Sequence, residues 1–490
     1  MSEWPRVKIS EVCELIVDCV NKTAPRVEYE TPYKMIRTPN IKNGRVDRTG
    51  CRFVEEETYE KWTRRAKVLR GDTLLTREAP MGQVGYVDFD DTVFLGQRIM
   101  QYRANPKVLD SRYLLYAFLS SDLQHQFYMH EGSGSVVSHI RVPDCSKFEL
   151  NLPPIEEQKR IANILGELDN KIELNRQTNQ TLEQIAQAIF KSWFVDFEPT
   201  RAKIAAKQIA QARQDSERRA ALNAALLADG RWPEAVAAAI AEGDPERAAM
   251  AAISGKSLDE LGQLSPKQQA QLLTTVALFP DALIDSELGE IPEGWDIAKL
   301  GELLEFNPKR TLKKGVMAPY LDMKNVPTQG HLADDVYVRE MASGTKFVNG
   351  DTLLARITPC LENGKTAYVD FLEKDQVAWG STEYIVMRPK NGRPMSLGYI
   401  IARLDCFRSK AIQTMTGTSG RQRANAKALS EQEWINYPLE LLDAFDRIAG
   451  SYLAKAKANG DENKILSELR DTLLPQLLSG DLPVGNKGIA

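Results

Sequence analysis

Residues 71–77 read Gly-Asp-Thr-Leu-Leu-Thr-Arg, and residues 350–356 read Gly-Asp-Thr-Leu-Leu-Ala-Arg. The match extends in both directions. Upstream, Trp4 with Lys8, Glu11 and Glu14 returns as Trp295 with Lys299, Glu302 and Glu305. Downstream, Tyr86-Val-Asp-Phe89 returns as Tyr368-Val-Asp-Phe371 and Arg103 as Arg388. Gly132-Ser-Gly-Ser135 returns as Gly417-Thr-Ser-Gly420, and Arg160-Ile-Ala162 as Arg447-Ile-Ala449. Order is kept, and the offset stays between 279 (71 to 350) and 291 (4 to 295), so the chain is written twice. Each half reads as a globular module of roughly 150 residues followed by a helix of roughly 40. A duplication can serve stability alone. Two copies that differ mainly in their loops suggest one scaffold reading two related but unequal ligands.

Inside each module the pattern is mixed α/β. Thr73-Leu-Leu75, Val84 to Phe89 and Thr92 to Leu95 have the β-branched and aromatic content of short strands. Tyr113 to Leu119, following Asp110-Ser111, reads as a capped helix, and Ser396 to Ala402 is its counterpart.

After Pro153-Pro154 the residues Ile161, Leu165, Leu168, Ile172, Asn175, Asn179, Leu182, Ala186, Ile189 and Trp193 recur at steps of four and three. This seven-residue repeat is the mark of a coiled-coil seam; an amphipathic helix lying on a core is the alternative. Asn175 and Asn179 would cost stability but fix register. In the second copy the aligned positions are Ile448, Tyr452, Lys455, Asn459, Glu462, Leu466, Leu469 and Leu473, polar in the middle, with Gly460 weakening the helix and Pro475 kinking or ending it. A weak helix beside a stronger one of equal length predicts that the two pair. Antiparallel pairing would make a rod of roughly 50 Å along 161–193. Between the copies, 201–285 is alanine-rich, with Gly243-Asp-Pro245 and Ser265-Pro266 as breakers; two or three helices in a solvated connector are expected, a cap on a partner subunit being the alternative.

Composition narrows the function. Hydrophobic residues at 43% and charged at 27% exclude wholesale disorder, collagen and mucin. A net charge of −4 argues against a basic nucleic-acid coat without excluding DNA binding. Six scattered cysteines without a Cys-x-x-Cys pair, no apolar membrane-length run and no secretory leader point to a reduced, cytoplasmic protein without structural zinc. Catalytic motifs are missing. Gly255-Lys-Ser and Gly364-Lys-Thr lack the glycine five residues earlier that a phosphate loop needs, and Gly132-Ser-Gly-Ser has no strand–helix context. His125 and His130 lack the spacing of a helical metal pair. No metal, cofactor or catalytic residue is assigned. A fused nuclease or methyltransferase and a protein-only helical scaffold are the competing readings.

Leu152-Pro-Pro-Ile-Glu-Glu-Gln-Lys-Arg-Ile-Ala162, running on to Leu182 through Trp193-Phe-Val-Asp-Phe197, resembles the central conserved region of specificity subunits of type I restriction–modification systems. Leu278-Phe-Pro-Asp281 with Ser286-Glu-Leu-Gly-Glu-Ile-Pro-Glu-Gly-Trp295 is similar to the lead-in to that family's second target-recognition domain, and Leu469 to Gly480 to its C-terminal conserved helix. The resemblance covers nearly the whole chain, with the long insert a departure. It implies two α/β (α+β) target-recognition domains, pseudo-repeated and separated by two long antiparallel coiled-coil helices. The implied division is a first recognition domain at 1–153, a central helix at 154–198, an alanine-rich connector at 199–287, a second recognition domain at 288–440, a C-terminal helix at 441–482 and a tail at 483–490. It further implies that each domain reads half of a split double-stranded DNA site, that the helices recruit two modification subunits carrying S-adenosylmethionine for adenine methylation, and that motor-nuclease restriction subunits join them. No membrane partner is implied.

Base readout needs Arg, Lys, Asn, Gln, Ser or Thr on groove-facing loops. The first module offers Arg37, Arg77, Gln97, Arg98, Ser133, Ser135, His139 and Arg141. The second offers Lys324, Arg356, Thr382, Thr418, Ser419, Arg421, Gln422, Arg423 and Asn425, of which 421–425 is the densest run of bidentate donors. Arg77 and Arg356 hold matched positions, which favours phosphate or the fold over discrimination. His139 also reads as an ordinary surface histidine.

Overall fold

The stretch repeated at 71–77 and 350–356 is the middle of each module in a computed structural model that describes residues 4–129, 139–418 and 420–482. Gly71 and Gly350 have φ of +94° and +87°, a left-handed turn that favours glycine. Asp72 and Asp351 follow with no exposed surface. Asp72 accepts from Leu69 N (2.7 Å), Gln101 Nε2 (2.7 Å) and Arg103, whose Nε and Nη2 donate to its two oxygens at 2.8 and 2.9 Å. Asp351 accepts from Val348 N (2.9 Å), Arg388 Nη1 (2.7 Å) and Arg310 Nη2 (3.2 Å). A buried carboxylate is tolerated only when so satisfied. The bond to Asp72 holds the Arg103 guanidinium above its ordinary pKa. The strands Thr73–Thr76 and Thr352–Ala355 then run fully buried, which explains their continuous apolar run.

The chain folds as two compact units, 1–174 with 462–490, and 175–461. In the first, Thr73–Thr76 lies third in a six-stranded sheet ordered Cys13–Asp18, Ile99–Ala104, Thr73–Thr76, Val84–Tyr86, Gly44–Val46, Ile41–Lys42. In the second, Thr352–Ala355 is third in the order Leu304–Phe306, Tyr384–Pro389, Thr352–Ala355, Thr366–Tyr368. The four shared strands keep the same order. A second sheet in each module contains one parallel pair, Lys34–Ile36 with Val93–Leu95 and Met317–Leu321 with Ala378–Gly380. The two helices anticipated from sequence form at Ser111–Leu119 and Ser396–Arg403; Asp110 caps the first, accepting from Arg112 N and Tyr113 N at 2.9 Å.

Two long helices run Ile155–Phe194 and Leu439–Ser479. In the first unit they meet through Arg470 Nη1 to Asp169 (2.8 Å), Lys171 to Glu462 (3.2 Å) and Asn463 Nδ2 to the Ile172 carbonyl (3.3 Å), while Ile161 and Leu165 share a core with Leu477 and Leu478. In the second unit, Asn459 Nδ2 donates to Asn179 Oδ1 (2.8 Å), Asn179 Nδ2 donates to the Ala456 carbonyl (3.0 Å), and Phe190 packs on Phe445 (centroids 5.3 Å apart). Within each unit one helix's numbers fall as the other's rise, so the pairing is antiparallel. All ten seam positions of the first helix are buried or half-buried. The seam Asn179 makes the register-setting contacts.

Three expectations are corrected. In the second long helix, Lys455 and Leu469 are exposed and the contacts move on one residue, to Ala449, Ala456, Asn463 and Arg470. Alignment with the first copy had carried the wrong phase there. Small alanines admit close approach, and Arg470 reaches the partner helix's carboxylate. Burial lowers the Arg470 pKa, but its bonds to Asp169 and Asp471 outweigh this and raise it overall. Pro475 does not end the helix, because Leu473, Leu474, Leu477 and Leu478 pack on the first module's core and offset the lost backbone bond. The insert is not two or three solvated helices. It is six short ones, at 198–211, 216–228, 234–242, 245–254, 258–262 and 266–276, around their own core of Ala202, Ala206, Ile209, Ala239, Ile240 and Ala248. The breakers seen in sequence act as caps: Asp244 accepts from Glu246 N and Arg247 N, and Ser265 from Gln268 N.

Candidate nucleic-acid interface

Both modules gather their candidate residues where the central strand ends. In the first, Arg77 N donates to the Arg98 carbonyl (2.8 Å), and the Arg77 carbonyl accepts from Ile140 N (3.0 Å). The Arg77 guanidinium turns onto the Ile140 carbonyl (3.0 Å). Gly96 N donates to Ile36 O (2.7 Å), and Thr38 Oγ1 to Ala79 O (2.8 Å), which draws the turn after Arg37 to the same place. Arg37, Arg77, Gln97, Arg98, His139 and Arg141 therefore sit on converging loops. Arg98 is exposed, has φ +74° and pairs with Glu78 at 2.9 Å. Beneath Arg141 the Cys145 thiol is pushed up to about 11 by burial, so it is not a nucleophile at neutral pH. Ser133 and Ser135 lie outside the described residues.

The second module repeats the frame. Arg356 N donates to the Glu383 carbonyl (2.9 Å), and the Arg356 carbonyl accepts from Ala424 N (2.8 Å). Position 383 thus corresponds to 98, and 423 to 139. What stands there is reversed in charge. Glu383 is clamped by Arg423, whose Nε reaches both carboxylate oxygens at 2.9 Å and whose Nη2 reaches one at 2.7 Å, which raises the Arg423 pKa. Arg423 also pairs backbone-to-backbone with Thr416 (2.9 and 3.1 Å), and Thr358 N donates to Gln422 O (3.0 Å). The run 421–425 therefore divides by role: Arg423 is tied to Glu383, and Asn425 caps Ala426–Ser430 by accepting from Lys427 N and Ala428 N. Arg421 remains exposed beside Thr418, whose carbonyl accepts from Arg421 N at 3.0 Å, and Gln422 is half-buried. Thr382 is exposed next to Glu383. Lys324 belongs to a separate turn, whose carbonyls accept from Lys365 Nζ. Ser419 lies outside the described residues.

Sequence reasoning missed the clamp residues Glu78 and Glu383, and also Arg310 and Lys346, which line a cleft with Arg356 and Thr382. The basic run Lys309-Arg310 and Lys313-Lys314 was a usable signal for the latter. Among the described residues no group of His, Cys, Asp or Glu is placed to hold a metal ion, and no helix is long and apolar enough to cross a membrane.

A family model for the type I restriction modification DNA specificity domain matches residues 1–184. This chain is similar over most of its length to specificity subunits of type I restriction enzymes. It is 29% identical over 437 residues to the HindI specificity subunit of Haemophilus influenzae, covering 85% of this chain and 87% of that one. The MjaIX specificity subunit of Methanocaldococcus jannaschii is 32% identical over 130 residues (26% of this chain, 29% of that one), and the EcoEI specificity subunit of Escherichia coli is 31% identical over 175 residues (34% and 29%). A crystal structure of the S subunit of a type I restriction–modification system from M. genitalium aligns over 97% of this chain and 96% of that one, with 15% identity and a TM-score of 0.44.

Proposed function

We propose that this subunit chooses DNA sequence without doing chemistry, each module reading one half of a bipartite duplex site. The observation that carries the reading is the equivalence of positions 98 and 383: one backbone frame, with arginine displayed in one copy and glutamate in the other. A repeated scaffold with unlike loops suits an asymmetric site better than a palindrome. Arg37, Gln97, Arg98, His139 and Arg141 in the first module, and Thr382, Thr418, Arg421 and Gln422 in the second, supply base and backbone contacts. Arg77 and Arg356 hold phosphate or the fold. The two long helices recruit two modification subunits, and Ile465 and Leu469, 65% and 44% exposed, offer apolar contact for them. Those subunits bind S-adenosylmethionine and methylate adenine after flipping it from the stack; this chain binds no cofactor of its own. Motor-nuclease subunits complete the assembly, in the cytoplasm, where unpaired cysteines such as these persist.

The test is retention of one DNA sequence by the complex of this chain with its modification subunits. Retention by the complex and not by the modification subunits alone supports the reading, and equal retention by both refutes it. Turnover of mixed-sequence DNA by the isolated chain, given S-adenosylmethionine or magnesium, would instead establish an enzyme.

A further inference from the structure

In the second module, a cleft of about 270 Å³ opens beside Thr382. Its wall carries Arg310, Lys346 and Arg356, with Asn307, Thr345 and Thr382 completing the polar lining. Lys346 makes no ion pair among the described residues, and the Arg356 side chain makes no hydrogen bond among them. The Nε groups of Arg310 and Arg356 are buried donors without acceptors. Asp351 is shared between Arg310 and Arg388, so it leaves the wall net positive. Buried orphan donors in a cationic wall call for an acceptor that a ligand supplies.

The first module also holds orphan donors, the Nε groups of Arg37 and Arg77, but its cations are placed differently. There the Arg77 guanidinium is spent on the Ile140 carbonyl. Strand register sets Phe306 opposite Met387 and Ile16 opposite Tyr102, so Arg310 corresponds to Val20. Lys346 and Arg356 align with Lys67 and Arg77, so Arg310 is the one wall cation without a counterpart in the first copy.

We propose that Arg310, Lys346 and Arg356 form a seat for a tetrahedral phosphoryl group, supplied by the DNA backbone of the half-site that the second module reads. The inference rests on the functional reading above and names its phosphate anchor. Planar guanidinium donors and an ammonium suit phosphate oxygens, and such contacts fix register without carrying sequence information. Arg310, held by Asp351, positions the wall, while Lys346 and Arg356 meet the anion.

The experiment compares the full chain, assembled with its modification subunits, with the Lys346→Gln/Arg356→Gln double variant. Two readouts are taken: the thermal midpoint in sulfate against chloride at equal ionic strength, and the salt dependence of duplex binding. The expected result is a sulfate-specific rise that the variant loses. With it, the slope of log K against log salt falls by about 1 to 2, and base preference in both halves is unchanged. Lys346→Gln alone, at a half-exposed side chain, covers the case in which the double variant fails to fold, and should lower the slope by about 1. An unchanged slope with an unchanged sulfate response overturns the seat. A lost sulfate response with an unchanged slope overturns DNA as its source and leaves a free-anion site. If the wild-type complex shows no preferred duplex while the sulfate difference persists, the functional reading fails and the anion seat stands.

Discussion

The two modules are alike where they are buried and unlike where they are exposed. Asp72 with Arg103 and Asp351 with Arg388 are one ion pair written twice, its carboxylate buried and its guanidinium half-buried. At the mouth of the same frame, Arg98 answers Glu78 in one copy and Glu383 answers Arg423 in the other. The fold needs the first pair in every copy, because an unpaired buried carboxylate is costly. The exposed pair is worth little to stability, so it can reverse sign without unfolding the module. Duplication thus preserves the scaffold while leaving the displayed charge open to change.

The largest effects should come from the scaffold. Replacing Asp72 or Asp351 by Ala leaves half-buried guanidinium groups and backbone amides without their carboxylate, and each change should cost about 2–4 kcal/mol, read as a lowered calorimetric transition of the affected unit. Similar losses in the two variants would support equivalence of the cores; a large loss in one and none in the other would break it. Next come the paired helices. Asn179→Leu leaves the Asn459 carboxamide buried without its acceptor and should cost about 1–3 kcal/mol in denaturant titration. The double change Asn179→Leu with Asn459→Leu should recover much of that loss while relaxing register.

The display pairs should show the reverse balance. Arg98→Gln and Arg423→Gln should each leave stability nearly unchanged. Each should alter base preference in one half-site only, by about tenfold in binding competition. Effects on both half-sites from one variant would contradict independent reading. The smallest effect belongs to the unrepeated insert. Lys207 and Lys203 hold the Asp281 carboxyl below its usual range. Its folded pKa lies below its unfolded one, so its contribution is present above the ordinary carboxylate pKa and is lost as pH falls through the depressed value. Asp281→Asn should therefore flatten the acid limb of the stability–pH curve slightly and leave the neutral limb alone.

Buried pattern was the legible part. The repeated Gly-Asp-Thr-Leu-Leu announced a left-handed turn, a satisfied carboxylate and a central strand, and the heptad of the first long helix marked its contacting face. Legibility failed where polar or small residues do the packing. Ala456 and Arg470 carry the second helix's contacts, and neither has the apolar signature that periodicity seeks. Caps such as Asp215 and Ser257, accepting from Arg218 N and Glu260 N, divided the insert more finely than its glycines and prolines suggested. At the interface, sequence located the loops but could not separate Arg421, which is exposed, from Arg423 and Asn425, which the fold occupies. That distinction depends on Glu383 and on a short helix, both set by tertiary packing.

The central claim is that two copies of one scaffold read two different half-sites. Its most direct test exchanges residues 1–153 for the corresponding module of another family member, assembles the complex with its modification subunits, and sequences the methylated adenines. The account predicts a new first half-site beside an unaltered second one; a change in both halves, or in neither, would contradict it.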